Sequence, residues 1–302
     1  MKTWLSPRGE LRHILRAFFY YRRGLLYLKM RFFIAPCILR ITKPLEKPKT
    51  RADFSMHMFF GKRDFLMGLW SLASFYRVMP ELGELFLHSD GTLDDRHRAV
   101  LRRLFPSARI EDAREFMAKH GRLLDMYPVL KRFRETYTRF QVRIVDQHFL
   151  SGKKYRLFID SDLLWFREPR EIVETLRSGI PTPLMMSNAT CVRMTFRDGR
   201  ETDDVISRPN GGIAFYREDQ FNIARATEFL EKSDYRGKRF GDQPWLAWIL
   251  RPALLPEDTY IIKGAITERV VVRHYTAPQR PKFYLLGLNL IWRAILEPYV
   301  RH

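Results

Sequence analysis

Asp160 and Asp162 stand one residue apart where the apolar run Tyr155 to Ile159 ends. Isolated carboxylates are expensive to bury, so a pair in this setting calls for a counter-charge. Mg²⁺ or Mn²⁺ would serve, since hard divalent cations prefer oxygen ligands and bridge to substrate phosphates. The alternative is a turn capped by Asp162 with Asp160 in an ion pair, because an Asp-x-Asp alone is common. Three more groups follow. Asn210-Gly211-Gly212 precedes an apolar strand; paired glycines let backbone approach a ligand closely, or make a plain turn. Asp242-Gln243 opens a helix with Pro244 in its first turn, which suits an ordinary helix start as well as chemistry. His274 ends a β-branched run and is followed by Arg280 and Lys282, cations that could hold phosphate.

These residues need elements to position them. Short apolar runs over 54–60, 84–90 and 153–160 predict strands, and 3.6-residue periodicity predicts helices over 63–79, 93–105 and 170–178. A helical stretch over 124–150 carries a break at Pro128, and 109–120 reads as a short strand or turn and then a helix. Strands alternating with helices imply an α/β fold with a mostly parallel sheet and helical crossovers. In such sheets ligands bind beyond the carboxyl ends of the strands, and Asp160 and Asp162 fall there. The last third predicts strands at 181–188, 210–217 and 269–276, and helices at 222–233 and 242–250.

The order strand–DxD, NGG–strand, DQ–helix and His with a basic tail resembles the nucleotide-sugar glycosyltransferases of the GT-A fold. It is most similar to the glycogenin and bacterial lipopolysaccharide galactosyltransferase group. That group carries LDxD, NxGv, DQD and HFxGxxKPW; the matching stretches here are FIDSDLLWF, PNGGIAFYR, GDQPWLAW and HYTAPQRP. The resemblance covers 54–282 and implies a Rossmann-type GT-A sheet flanked by helices. It implies that Asp160, Asp162 and His274 bind Mn²⁺ or Mg²⁺, with the metal bridging the diphosphate of a UDP-sugar. Arg280 stands where the group has lysine, near the departing β-phosphate. Asn210, Gly211 and Gly212 would line the donor sugar and acceptor side, while Asp242 and Gln243 would face the donor sugar and reacting carbon. Phe59 and Phe60 end the first strand and Lys62 follows it, where the group holds the nucleobase and ribose, and Ser187 and Asn188 could touch the sugar.

Two departures matter. Ala277 replaces the glycine after the histidine, and DQPW lacks the second acid of DQD, which leaves the catalytic assignment and the stereochemistry open. Sugar transfer passes through an oxocarbenium-like state with a diphosphate leaving, so a metal and an arginine suit the charge that develops. Asp242 is the candidate base if the reaction needs one; the other role for it is hydrogen bonding to the donor sugar.

The chain divides into a basic arm and linker (1–51), a catalytic body (52–282) and an apolar C-terminal helix (283–302). Of the net +19, the first 51 residues carry +11, with 13 Lys/Arg against 2 Asp/Glu. Leu11, Ile14, Leu15, Phe18 and Phe19 have helical spacing, with Arg12, Arg16, Arg22 and Arg23 among them. Charges interrupt each apolar run before the roughly 18 residues needed to span a bilayer. An anionic membrane surface is the expected partner, with a helix packed on the body as the alternative; nucleic acid is not expected. The uncharged run from Phe283 to Trp292 is also too short to span. Two cysteines, Cys37 and Cys191, form no metal-ligand cluster, which fits a reduced cytoplasmic protein peripheral on the cytosolic face of a membrane. The expected activity is a metal-dependent hexosyltransferase with a nucleotide-sugar donor and a glycan or lipid-linked acceptor. The alternatives are a metal-dependent nucleotidyl or phosphoryl transferase, and a non-catalytic basic protein that binds membrane or nucleic acid.

Overall fold

The computed structural model describes residues 7–136, 145–150, 152–179, 182–233 and 241–300. The strands are β1 (Phe54–Phe60), β2 (Glu84–Ser89), β3 (Arg109–Asp112), β4 (Tyr155–Ile159), β5 (Leu163–Trp165), β6 (Leu184–Ser187), β7 (Pro209–Arg217), β8 (Ala253–Leu254), β9 (Tyr260–Ile261) and β10 (Val272–His274). Seven of them form one sheet in the order β3-β2-β1-β4-β7-β6-β8. The first four of that order are parallel, as the alternating strands and helices predict. β7 then enters antiparallel to both β4 and β6, and β6 pairs parallel with β8.

Side-chain alternation sends each strand to two cores. Met56 and Met58 of β1, Leu157 and Ile159 of β4, and Ile213 and Phe215 of β7 share the first core. Phe158, Ala214 and Tyr216 face the second, which is closed by the helices Pro128–Thr136, Ile223–Lys232 and Asp242–Leu250. β1 and β4 are buried along nearly their whole length, with Ser55, His57 and Arg156 buried among the apolar residues.

The first core is closed by the helix Phe65–Val78, Leu101 and Leu104 of the helix Asp95–Leu104, and both chain ends. Tyr27, Met30, Ala35 and Ile38 of the arm are buried with Phe283, Tyr284, Leu288 and Ile295. Trp70 Nε1 donates to Ala35 O at 3.0 Å. Buried Glu10 accepts from Arg31 Nη2 at 3.0 Å and from Tyr27 Oη at 2.8 Å, and Arg31 lies 5.3 Å from the Tyr284 ring centroid. The arm therefore packs on the body through one face. Its other face leaves Phe19 (79% exposed), Leu25 (78%) and Phe33 (71%) in solvent. Arg12, Arg22, Arg23 and Lys29 are exposed with them. Among the described residues no helix is long and apolar enough to cross a membrane.

Three sequence expectations shift. The run over 269–276 forms only the three-residue β10, in a second sheet of order β5-β10-β9. β5, at Leu163–Trp165, continues the chain beyond the paired aspartates and was not expected as a strand. Within the helix expected over 124–150, the segments Pro128–Thr136 and Gln147–Leu150 are helical, and 137–144 lie outside the described residues.

Candidate metal and diphosphate site

The site forms where the two sheets meet. β4 ends at Ile159 in the large sheet and β5 begins at Leu163 in the small one, so Asp160, Ser161 and Asp162 bridge them. Antiparallel pairing then dictates their neighbours. β10 lies against β5 with His274 opposite Leu163, which brings the imidazole to Asp162. β7 lies against β4 with Ile213 opposite Ile159, so Gly212 meets Asp160; the Asp160 amide donates to Gly212 O at 2.9 Å. Residues far apart in sequence are thus joined by two strand registers.

The resulting cluster holds two carboxylates and an imidazole. His274 Nε2 lies 3.0 Å from Asp162 Oδ1 and 3.5 Å from Asp160 Oδ2. One potential ligand atom from each of Asp160, Asp162 and His274 falls within 4.8 Å of the others. Asn210 sets the imidazole tautomer. Its Oδ1 accepts from the Gly212 amide at 2.8 Å and lies 3.0 Å from His274 Nδ1. An oxygen can only accept, so Nδ1 carries a proton; Nε2 faces the carboxylates, donating to Asp162 when it is protonated and open to a cation when it is not. A metal-binding histidine needs this arrangement: its second nitrogen is held by a neighbour while the first remains available.

The amide chain continues outward. Asn210 Nδ2 donates to Asn188 Oδ1 at 3.1 Å, and Asn188 Nδ2 donates to Gln243 Oε1 at 2.8 Å. Asn188 is beside Asn210 because β6 pairs with β7, with an irregularity after Met185. Gly212 leaves room for the construction: a Cβ there would sit 2.6 Å from His274 Nδ1 and 2.8 Å from Asn210 Oδ1.

Charge balance includes Arg280. Its Nη2 donates to Asp162 Oδ2 at 3.2 Å and its Nη1 to Asp64 Oδ1 at 2.7 Å. Burial alone would raise the pKa of Asp162. The attraction and hydrogen bond of His274, followed by those of Arg280, hold its carboxyl far below the usual carboxylate range. Burial opposes the charge on Arg280, and Asp162 and Asp64 more than offset it. An anionic, charge-assisted pocket of two aspartates and a correctly presented histidine fits Mn²⁺ or Mg²⁺.

The structure brings Asp160, Asp162, His274, Arg280, Asn210, Gly212, Asn188 and Gln243 into one connected network. Asp242 is buried at the start of the same helix as Gln243, and Gly211 lies in β7 between Asn210 and Gly212. Ser187 Oγ donates to Glu257 at 2.6 Å instead of to the amide chain. At the end of β1, Phe60 is fully buried, edge-on to Phe65, so its ring belongs to the core. Phe59 is partly exposed on the other side of the strand, and exposed Lys62 reaches Asp94 at 3.4 Å. Sequence reasoning missed Asp64. It follows Lys62-Arg63 and reads as an ordinary polar residue in the first turn of the helix expected over 63–79; its partner Arg280 lies across the whole fold.

No family model matches the sequence, and no curated protein does. Solved structures match in fold. Mouse xyloside xylosyltransferase 1, in its apo form, aligns over 76% of this chain and 99% of its own, at 12% identity and TM-score 0.50. The galactosyltransferase LgtC, in complex with donor and acceptor sugar analogues, aligns over 82% of this chain and 97% of its own, at 12% identity and TM-score 0.51. The glycosyltransferase GlyE of Streptococcus pneumoniae TIGR4 aligns over 82% of this chain and 63% of its own, at 12% identity and TM-score 0.50. The chain has the fold these glycosyltransferases share, the GT-A fold.

Proposed function

We propose that this chain transfers a hexosyl group from a UDP-sugar to a glycan or lipid-linked acceptor at a membrane surface. The carrying observation is the Asp160–Asp162–His274 cluster, with His274 oriented by Asn210 at the strand edge where this fold class binds ligands. Asp160, Asp162 and His274 would hold Mn²⁺ or Mg²⁺. Such an ion would neutralise charge developing on the departing diphosphate. Arg280 adds a fixed cation beside Asp162, with a planar fork suited to phosphate oxygens. Asn188, Asn210 and Gln243 hold one another through amide hydrogen bonds, so polar groups are fixed before the sugar arrives. Asp242 is the candidate base, and hydrogen bonding to the donor sugar is its other candidate role.

The product separates this reading from nucleotidyl transfer. Incubation with Mn²⁺ and a panel of nucleotide sugars should release UDP as the sugar is transferred or hydrolysed. With a nucleoside triphosphate and a sugar phosphate in place of the nucleotide sugar, release of pyrophosphate would favour nucleotidyl transfer, and turnover in neither assay would sink both.

The membrane part of the proposal rests on the exposed face of the arm. Phe19, Leu25 and Phe33 stand in solvent beside exposed arginines and a lysine, a pattern suited to the interface of an anionic bilayer on the cytosolic side. Removing residues 1–51 would strip Met30, Ala35 and Ile38 from the core, so surface substitutions make the better test. Phe19→Ser combined with Leu25→Ser should weaken partition onto phosphatidylserine vesicles at least roughly tenfold, given about 1.5–3 kcal/mol per buried side chain. The melting temperature should hold, because both side chains are already in water. Partition of the unaltered chain should fall as salt is raised. Equal flotation of the variant and the unaltered chain would remove the arm from membrane attachment.

A further inference from the structure

Asp64 occupies the residue before the helix Phe65–Val78, where an aspartate ordinarily accepts an amide hydrogen bond from the first turn. It makes no such bond. Its carboxylate turns instead to Arg280 Nη1 at 2.7 Å and to exposed Arg63 Nη2 at 2.8 Å. The Asp64 and Arg280 side chains are each 13% exposed, so this is a largely desolvated pair. The second arm of Arg280 reaches Asp162 at the longer distance of 3.2 Å. Among the described residues Arg280 Nε is buried with no hydrogen-bond partner, so the guanidinium has donor capacity left over.

We propose that Asp64 is a positioning residue that anchors Arg280 by one nitrogen while the other passes from Asp162 to the diphosphate of the donor. This rests on the reading of Asp160, Asp162 and His274 as a cation site. Asp162 Oδ2 faces Arg280, and a divalent cation on the same carboxylate would compete with that guanidinium by like-charge repulsion. With Asp64 in place, Arg280 can yield Asp162 without leaving the site. Without Asp64, Asp162 is the remaining carboxylate bonded to Arg280, and the arginine becomes a stronger rival to the cation.

The test uses the full chain and two probes: Mn²⁺ alone, followed by the electron paramagnetic resonance of the free ion, and UDP at saturating Mn²⁺, followed by calorimetry. Asp64→Asn should weaken Mn²⁺ and UDP binding by about tenfold each, the scale of lost support for a metal site. Arg280→Gln should bind Mn²⁺ at least as tightly as the unaltered chain while binding UDP more weakly. In the Arg280→Gln background, adding Asp64→Asn should change Mn²⁺ binding little, because the residue acts through the arginine. Asp64→Glu should recover most of the Mn²⁺ affinity. Unchanged binding in Asp64→Asn, or the same loss with and without Arg280, would overturn the proposal. So would an Arg280→Gln variant that binds Mn²⁺ more weakly, which keeps the test open even if Asp64→Asn fails to fold. If the unaltered chain binds neither probe, the cation-site reading falls and the proposal with it. If it binds both and the variants do not respond as stated, only the proposal falls.

Discussion

Asp162→Asn should abolish Mn²⁺-dependent UDP binding and lower sugar transfer by about 10³-fold or more, equivalent to roughly 4 kcal/mol of transition-state stabilisation. The substitution removes a charge that balances both His274 and Arg280. It leaves the shape of the side chain nearly unchanged. The fold should survive, because Arg280 keeps Asp64 and His274 keeps Asn210. Far-UV circular dichroism should therefore match the unaltered chain while calorimetry shows no metal-dependent nucleotide binding. Unchanged UDP binding in this variant would remove Asp162 from the ligand set.

Gly212→Ala should cost up to about 100-fold in Mn²⁺ affinity, the range seen when a ligand's hydrogen-bonding support is lost. The added methyl would lie 2.6 Å from His274 Nδ1, 2.7 Å from His274 Cε1 and 2.8 Å from Asn210 Oδ1. One of those groups must move, and each belongs to the bond that fixes the imidazole. No carboxylate ligand is altered, so the loss would be due to orientation alone. The same substitution also tests the tautomer argument, because a histidine freed from Asn210 can turn Nδ1 toward the aspartates. An alanine variant with full Mn²⁺ affinity would show that the Asn210 contact does not matter. Global unfolding would be visible as a lost thermal transition and would separate the two causes.

Much of the site was legible because its residues end strands. Asp160 and Asp162 follow an apolar run that could only be buried, and His274 ends a β-branched one. Their chain order carried the resemblance to the GT-A glycosyltransferases, and the fold agrees with it. What could not be read was pairing. Nothing local in Leu163 to Trp165 distinguishes a strand from a strand's overrun; it becomes β5 only because β10 arrives beside it. The antiparallel entry of β7 is equally nonlocal, yet it places Gly212 on Asp160. Phe60 shows the converse error. A strand-end aromatic looked suited to a nucleobase, but side-chain alternation sends it into the core with Met56 and Met58. Asp64 was invisible because its partner lies at the other end of the body. The arm's apolar spacing was legible, but which residues it buries was not: Leu11, Leu15, Phe18 and Phe19 stay exposed, while the Glu10–Arg31–Tyr27 cluster fastens the arm to the body.

The most direct measurement is a thermal-shift screen of nucleotide sugars with Mn²⁺, run in parallel with a chelator. Ligand bound at about 100 times its Kd stabilises a folded chain by about 2.7 kcal/mol, which is readily seen as a higher melting temperature. A UDP-sugar should raise the transition with Mn²⁺, fail to do so with the chelator, and fail in Asp162→Asn. If no nucleotide sugar moves the transition with Mn²⁺ present, or if the shift persists unchanged under chelation, the cluster of Asp160, Asp162 and His274 is not a metal and diphosphate site.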